Sequence, residues 1–179
     1  AHHAVVTVGQ VKAGDKVAII GIGGLGQIGA RIAVLKGAEV YAAEVKEDVW
    51  PLAESLGVKK VVSDIRELAD VGLNVIIDFA GFGTTTAGAI DVVANYGRVV
   101  QVGMGRLQAE INTNSLILKH VQLLGSMGGG TEDLAGIYAL MATGDLDPVT
   151  STISFNEIDK GLEKLHRGEV TGRLVAELK

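Results

Sequence analysis

The sequence predicts an α/β fold: a doubly wound parallel sheet of six strands with helices on both faces. Short apolar segments alternate with helical patterns through most of the chain, and this alternation is typical of parallel sheets in three layers, α/β/α. A glycine cluster at residues 21–26 stands between the first strand and the first helix. This turn, together with right-handed crossovers, favours the strand order 3-2-1-4-5-6.

The first strand, turn and helix carry the most informative pattern. The apolar strand Lys16–Ile20 runs into Gly21-Ile-Gly-Gly-Leu-Gly26. Gly21 would allow a tight turn, Gly23 would let the backbone approach a pyrophosphate, and Gly26 would let the helix pack against the strand. An apolar repeat at helical spacing follows and ends at Gly37. This order predicts a Rossmann fold that binds a dinucleotide; a glycine-rich turn without a ligand is the alternative.

An acidic residue ends the second strand. The strand at residues 39–44 finishes on Glu44, 18 positions after Gly26 and close to the ~20 expected for a carboxylate that hydrogen-bonds the adenosine ribose. A carboxylate would also repel a 2′-phosphate and so select NAD over NADP. A solvated glutamate at a strand end is the alternative. Lys46 would offer a cation to a phosphate, although a surface lysine is the simpler interpretation.

The following elements continue the alternation. After a helix capped by Asp48, we expect strands at residues 60–62, 73–78, 97–102 and 121–124, separated by helices within 63–71, 84–93 and 115–119. Thr131 is expected to cap a helix that turns Leu134, Ile137, Tyr138 and Met141 inward.

The end of the chain does not extend this pattern cleanly. Pro148 interrupts it, Asn156 is expected to cap a last helix, and residues 172–177 are expected to form a final strand. We therefore divide the chain into a Rossmann domain at residues 1–143 and a C-terminal helix and strand at residues 144–179.

Ligands of such sheets lie beyond the carboxyl ends of the strands. The strand tips of interest are therefore residues 21–25, 44, 80–82, 102–104 and 125–127. Asp78, at the end of the fourth strand, fits a catalytic carboxylate or, more simply, a cap for the neighbouring loop. The four histidines show no ligand spacing beyond the adjacent pair His2-His3, and we interpret all of them as structural or exposed.

Several segments together resemble the cofactor domain of the medium-chain dehydrogenase/reductase family, and more closely the zinc-dependent alcohol dehydrogenases. The likeness covers almost the whole chain. It is carried by the glycine turn with Val11-Lys-Ala-Gly-Asp-Lys16 before it, Ala38-Glu-Val40, Leu52-Ala-Glu-Ser-Leu-Gly57, Gly97-Arg-Val-Val-Gln-Val-Gly103, Leu124-Gly-Ser126 and Gly172-Arg-Leu-Val175.

The resemblance implies an NAD site and a role for each strand tip. Gly23, Gly24 and Leu25 would face the pyrophosphate, and Glu44 would hold the ribose. The other implied positions are Ala80, Gly81 and Phe82 near the adenosine half; Val102, Gly103 and Met104 under the nicotinamide; Ser126 and Met127 near the carboxamide; and Arg173 near the phosphates.

The resemblance also implies what lies outside this chain. Members of the family carry their zinc ligands and proton-relay residues in a preceding catalytic domain, to which the segment after the sixth strand returns. This chain has no cysteine and begins with Ala rather than Met, so we expect an excised NAD-binding domain that does not catalyse alone. The intact enzyme would oxidise an alcohol to an aldehyde or ketone. Members pair through the sheet edge, which makes residues 111–124 a candidate homo-oligomer interface.

Three alternatives are weighed against this interpretation. A non-catalytic nucleotide-binding module is not excluded by any residue. A zinc-free quinone or enoyl reductase of the same family would usually prefer NADPH, which Glu44 disfavours. A short-chain dehydrogenase would need a Tyr-x-x-x-Lys pair, and no tyrosine here has a lysine four residues later.

The composition excludes other classes of function. The net charge is −5 and no basic patch stands out, so a nucleic-acid partner has no electrostatic support. No apolar run approaches the ~18 residues of a membrane span, and the N-terminal residues do not resemble a secretory signal. We expect a cytoplasmic protein.

Overall fold

The computed structural model describes residues 1–178, and its main sheet has six parallel strands in the order β3-β2-β1-β4-β5-β6. The strands are β1 Lys16–Ile20, β2 Glu39–Ala43, β3 Lys60–Val62, β4 Val75–Asp78, β5 Arg98–Gln101 and β6 Gln122–Gly125. This order confirms the predicted Rossmann topology. The chain winds in one direction from β1 to β3 and in the other from β4 to β6, so its switch point lies between β1 and β4.

Neighbouring strands end level with one another at the carboxyl edge of the sheet. Ile20 of β1 pairs with Ala43 of β2 on one side and with Asp78 of β4 on the other. Because these last residues are in register, the turns that leave them start from one edge. The register therefore brings the glycine turn, Glu44 and residues 79–82 close together.

Helices cover both faces of the sheet. The α-helices are α1 Gly26–Leu35, α2 Trp50–Ser55, α3 Thr84–Val92, α4 Thr113–Leu118, α5 Thr131–Ala142 and α6 Ile158–His166. A π-helical segment occupies His3–Val8, and 3₁₀-helical segments occupy Glu47–Val49, Ile65–Val71 and Phe155–Glu157.

Alternate residues of the central strands point to opposite faces. Ile19 and Ile77 belong to the apolar cluster on one face, whereas Ala18 and Ile76 belong to the cluster on the other, and all four are fully buried. Burial on both faces explains why these strands are almost continuously apolar. Each large side chain buried in this way contributes about 1.5–3 kcal/mol. The sheet thus gives the turns at its edge a well-packed base.

Three predicted helix caps are wrong. Asp48 lies inside the Glu47–Val49 turn, and the residue before α2 is Val49. Helix α5 begins after Gly130, whose N–H donates to the Asp133 carboxylate at 2.9 Å. Near α6, Ser154 rather than Asn156 closes the turn, through a hydrogen bond to Glu157. In the last two cases an acid three residues further along accepts the free N–H, so no cap is needed at the predicted position.

Helix α5 faces the core with a different stripe from the one predicted. Ile137 and Leu140 pack against the buried cluster. Leu134, Tyr138 and Met141 are exposed instead of inward.

The end of the chain forms a second, two-stranded sheet. Strand β7, Thr150–Ser154, pairs in parallel with β8, Arg173–Glu177. The final strand was predicted, but β7 was not, because its sequence Thr-Ser-Thr-Ile-Ser is mostly polar and its partner lies about twenty residues further along the chain. Helix α6 connects the two strands, as a parallel pair requires a crossover.

Candidate functional site

Two glycines of the turn, Gly23 and Gly26, differ in the space around them. A Cβ at Gly26 would lie 1.7 Å from the carbonyl oxygen of Gly21, so only glycine at this position allows α1 to start so close to the turn. A Cβ at Gly23 would meet no atom within 4 Å. Gly21 has φ +83° and donates its N–H to the Ala43 carbonyl at 2.8 Å, which ties the turn to β2. The backbone at Gly23 is therefore open to a ligand, while that at Gly26 is closed by the protein.

The Glu44 carboxylate is fixed at the end of β2 by backbone donors. The Ile22 N–H donates to Oε2 at 2.7 Å, and the Lys46 N–H donates to Oε1 at 2.9 Å. The Glu44 carbonyl also accepts the Trp50 indole N–H at 2.8 Å. A carboxylate oriented by hydrogen bonds keeps its remaining lone pairs in fixed directions. Glu44 is thus an oriented acceptor next to the glycine turn.

A cleft of about 690 Å³ lies beyond the carboxyl edge of β1, β2, β3 and β4. Ten of the sixteen sequence-predicted cofactor residues line it: Gly21, Gly23, Gly24, Leu25, Gly26, Glu44, Lys46, Ala80, Phe82 and Arg173. The structure therefore brings the turn, the acid and the arginine into one cavity.

The other six predicted residues lie outside the lining of this cleft, at the tips of β4, β5 and β6. They are Gly81, Val102, Gly103, Met104, Ser126 and Met127. The tips of β4 and β5 are in direct contact, since a Cβ at Gly81 would lie 2.0 Å from the Gly103 carbonyl oxygen. Met104 and Met127 are 80% and 91% exposed. A role for these six residues in binding a cofactor stays a prediction.

Arg173, the first residue of β8, lies over the glycine turn. A Cβ at Gly24 would stand 2.8 Å from Arg173 Cδ and 3.2 Å from Nη1. Within residues 1–178 the guanidinium forms no ion pair. Its charge is therefore available to an anion at the turn.

Asp78 is a structural residue of the β4 tip. It is 0% exposed. Its Oδ1 accepts the N–H groups of Ala80 and Gly81 at 3.1 and 2.8 Å, and its Oδ2 accepts the hydroxyls of Thr85 and Thr86 at 2.7 and 2.9 Å. With four donors satisfied inside the fold, the carboxylate caps the loop, as the simpler interpretation of the sequence expects.

Besides immediate neighbours of the predicted turns, such as Val45 and Phe79, sequence reasoning missed two parts of the cleft wall. Residues 63–66 follow β3, and the strand-tip rule that pointed to the other turns applies to them as well. Leu165 and Gly172 come from the C-terminal segment. No local pattern announces Leu165, which reaches the cleft only through the fold of the tail, whereas Gly172 stands in the motif Gly172-Arg-Leu-Val175 but was not assigned to the cofactor site.

The adjacent histidines bind a carboxylate rather than a metal. His2 and His3 each place Nδ1 2.8 Å from an oxygen of Asp133, at the start of α5. The pKa of Asp133 is held well below its usual value by these hydrogen bonds. The bond from His2 has the largest effect, and the bonds from the Gly130 N–H and from His3 add to it. Across residues 1–178, no three His, Cys, Asp or Glu side chains are grouped to hold a metal ion.

Within residues 1–178, no helix has both the length and the apolar character that crossing a membrane requires.

The strand order, the glycine turn and the cleft at the switch point define a Rossmann-type α/β domain. The profile of the zinc-binding dehydrogenase family matches residues 24–143, and the chain belongs to that family. The resemblance carried by the sequence motifs is thereby confirmed.

Individual relatives agree with this assignment. An alcohol dehydrogenase of Geobacillus stearothermophilus is 28% identical, in a match that covers 96% of this chain and 53% of the relative. A solved acetophenone reductase from Geotrichum candidum in complex with NAD has a TM-score of 0.92 at 28% identity, covering 98% of this chain and 52% of that one. An alcohol dehydrogenase of the hyperthermophilic archaeon Aeropyrum pernix has a TM-score of 0.89 at 31% identity, covering 97% and 53%. The chain spans about half the length of these relatives.

Proposed function

We propose that this chain is the NAD(H)-binding part of a zinc-dependent alcohol dehydrogenase. The observation that carries the proposal is the contact between Glu44 and Ile22, which sets an oriented carboxylate beside an open glycine turn in one cleft. A pyrophosphate needs backbone donors and a close approach, and a ribose needs an acceptor beside it. The chain offers these two features at neighbouring points of one cavity. The NAD complex of the Geotrichum candidum relative supports the same cofactor.

The proposed roles follow from the positions of the side chains. The turn at Gly23 and Gly24 and the start of α1 bind the pyrophosphate, since free N–H groups and the helix dipole favour an anion there. Glu44 accepts hydrogen bonds from the ribose hydroxyls, and its charge disfavours a 2′-phosphate. Arg173 adds a cation above the turn.

The remaining cofactor assignments rest on the family resemblance. Ala80, Gly81 and Phe82 would bind near the adenosine half. The assignment of Lys46 to a place near a phosphate rests instead on its charge and on its position two residues after Glu44. Val102, Gly103, Met104, Ser126 and Met127 would bind the nicotinamide end. When bound, the nicotinamide ring supplies the hydride acceptor or donor; these residues bind and orient it.

The chemistry on the alcohol is proposed to lie outside this chain. The described residues hold no group suited to a metal ion, so they do not fit the zinc that the family name implies. We place the zinc and the substrate groups in the other half of a protein about as long as the relatives. The domain boundary at residue 143, the cytoplasmic location and an alcohol or carbonyl substrate belong to the same proposal.

The sheet edge is proposed as a homo-oligomer interface. β6 is the last strand in the sheet order, and its first three residues, 122–124, lie within residues 111–124. The exposed apolar side chains there are Ile117, Leu118 and Leu123. An unpaired strand edge with apolar neighbours is suited to pairing with a second copy.

Binding and turnover test the proposal separately. Titration of the 179-residue chain with NADH, followed by nicotinamide fluorescence, is expected to show saturable binding that is stronger than that of NADPH. The protein at the length of its relatives is expected to oxidise alcohols with NAD and to lose this activity to a chelator. Absence of NADH binding would refute the proposal. Binding without turnover by that longer protein would favour the non-catalytic module.

A further inference from the structure

Gln27 is a buried polar residue at the start of α1, immediately after the glycine turn. Only 1% of the surface of Gln27 is exposed to solvent. Its Oε1 accepts the Val149 N–H at 3.0 Å, whereas its buried Nε2 has no hydrogen-bond partner among the described residues. Burying an amide that is only half satisfied is unfavourable compared with an apolar side chain of the same shape. The hydrogen bond from the Val149 N–H to Gln27 Oε1 is therefore the interaction that explains a glutamine, rather than an apolar residue, at this position.

The bond from Gln27 leads back to the glycine turn through three residues. Val149 lies just before β7, and its carbonyl accepts the Arg173 N–H at 2.9 Å. Gly172 has φ +79°, and a Cβ there would lie 2.2 Å from the Val149 oxygen and 3.0 Å from Gln27 Nε2. No side chain fits between these groups, so the contact is tight.

This series of contacts returns to the glycine turn at Gly24. Arg173 follows Gly172 directly, and its side chain lies over Gly24, which is three residues before Gln27. The backbone of Arg173 is thus bonded to Val149, which is itself bonded to Gln27, while its guanidinium lies above the turn. The place of Arg173 relative to the turn therefore depends on a hydrogen bond made by Gln27, the second residue of the helix after the turn.

We propose that Gln27 is a positioning residue that holds Arg173 over the phosphate-binding face of the glycine turn. It acts through Val149 and does not touch the ligand, since it is absent from the lining of the cleft. The ligand group concerned is the pyrophosphate of a dinucleotide, so the inference rests on the proposed function. A methionine at this position would fill a similar volume but would leave the Val149 N–H without an acceptor, so the β7–β8 pair that carries Arg173 would lose its hydrogen bond to α1.

The binding experiment compares the wild type with Gln27→Met, Arg173→Ala and the double variant. The probes are NADH and adenosine, which lacks phosphate. Gln27→Met is expected to weaken NADH about fivefold to tenfold, a coupling typical of neighbouring groups, and to change adenosine binding less than about twofold. In the Arg173→Ala background it is expected to add no further loss. Equal weakening of both ligands, or effects of the two substitutions that multiply, would overturn the proposal.

A control variant and a ligand-free measurement separate positioning from stability. Ile32→Val loosens the buried side of α1 without touching the tail, and NADH affinity is expected to stay at the wild-type value. Without ligand, Gln27→Met is expected to speed hydrogen exchange at the Val149 amide and to shift the Arg173 Nε–H resonance. Gln27→Glu, which keeps an acceptor of the same reach, restores the protection of Val149.

The two proposals fail in different ways. If the wild type binds no NADH, the proposed function is wrong, whereas the ligand-free spectra still decide the role of Gln27. An unchanged Arg173 resonance in Gln27→Met overturns the positioning role even if NADH binds.

Discussion

The backbone N–H of Ile22 donates to the carboxylate of Glu44 at 2.7 Å, which joins the glycine turn after β1 to the end of β2. The two residues are 22 positions apart, and one hydrogen bond fixes both the turn and the acid. An acceptor that is already oriented before a ligand arrives loses little entropy on binding.

Replacing Glu44 tests its part in cofactor choice. Glu44→Ala is expected to weaken NADH by about tenfold or more, because a hydrogen bond to a charged group contributes about 1.5–3 kcal/mol. NADPH should lose less affinity, since the repulsion of its 2′-phosphate disappears at the same time. Titration of each variant with both nucleotides measures the change. Glu47→Ala, at an exposed acid nearby, serves as the control, and an unchanged ratio of NADH to NADPH affinity would contradict the ribose role.

Two alanine substitutions in the glycine turn should have opposite effects. Gly26→Ala is expected to unfold or strongly destabilise the protein, because the new Cβ would lie 1.7 Å from the Gly21 oxygen. Gly23→Ala meets nothing in the protein, so its stability should stay within about 0.5 kcal/mol of the wild type. Its NADH affinity should fall, because the methyl group occupies the space for the pyrophosphate. Urea denaturation and NADH titration measure the two effects; full binding by Gly23→Ala would show that the ligand lies elsewhere.

Removal of the Asp78 carboxylate should damage the fold. Asp78→Ala leaves two backbone N–H groups and the Thr85 hydroxyl at the β4 tip without their acceptor, whereas the Thr86 hydroxyl can still donate to Gln101 Oε1, and we expect a loss of about 3 kcal/mol or more. Thr85→Val, which removes one donor to Asp78 and the acceptor of the Phe82 N–H, should cost less, about 1–2 kcal/mol. Chemical denaturation gives both values. A wild-type stability for Asp78→Ala would return the residue to the list of possible catalytic groups.

The contribution of Asp133 to stability should depend on pH. The hydrogen bonds from His2 and from the Gly130 N–H lower the pKa of Asp133 in the folded protein below the usual 3.8. The unfolded chain therefore binds this proton first as the pH falls, so the stabilisation is fully present well above pH 4 and declines below it. Asp133→Asn should accordingly be less stable than the wild type at pH 7, and the gap should narrow from about pH 4 downward.

Urea denaturation of the Asp133 variant across this pH range measures the effect. Asp147→Asn, at an exposed acid in the following loop, is the control and should show no such gap. A difference between Asp133→Asn and the wild type that persists unchanged at pH 3 would contradict the assignment.

Charge at the sheet edge should separate the proposed oligomer. Leu123 of β6 is 41% exposed, and Leu123→Glu is expected to raise the dissociation constant of the oligomer at least about tenfold through an unpaired charge in the interface. Leu107→Glu, an equally drastic change at an exposed leucine outside residues 111–124, should leave the mass unchanged. Light scattering across a dilution series distinguishes the two. A monomeric wild type would remove the interface from consideration.

Features encoded in continuous segments were predictable, whereas features made by distant segments were not. The β1 strand, the glycine turn and Glu44 are fixed by apolar runs and glycine positions within thirty residues. The polar segment β7 is a strand only because it pairs with β8, which lies far along the chain. Leu165 lines the cleft only because the C-terminal segment folds back onto the sheet edge. The inward face of α5 was misassigned because its apolar residues form more than one stripe, and only packing decides which one the sheet covers.

The walls of the cleft have a practical consequence for protein engineering. Leu165, Gly172 and Arg173 belong to the segment after the six-stranded sheet, yet they face the same space as the glycine turn. A chimera that exchanged only the sheet and its helices between two relatives would join a turn from one parent to an arginine from the other. Grafts intended to alter nucleotide preference should therefore transplant residues 144–178 with the sheet, so that the cavity is inherited whole.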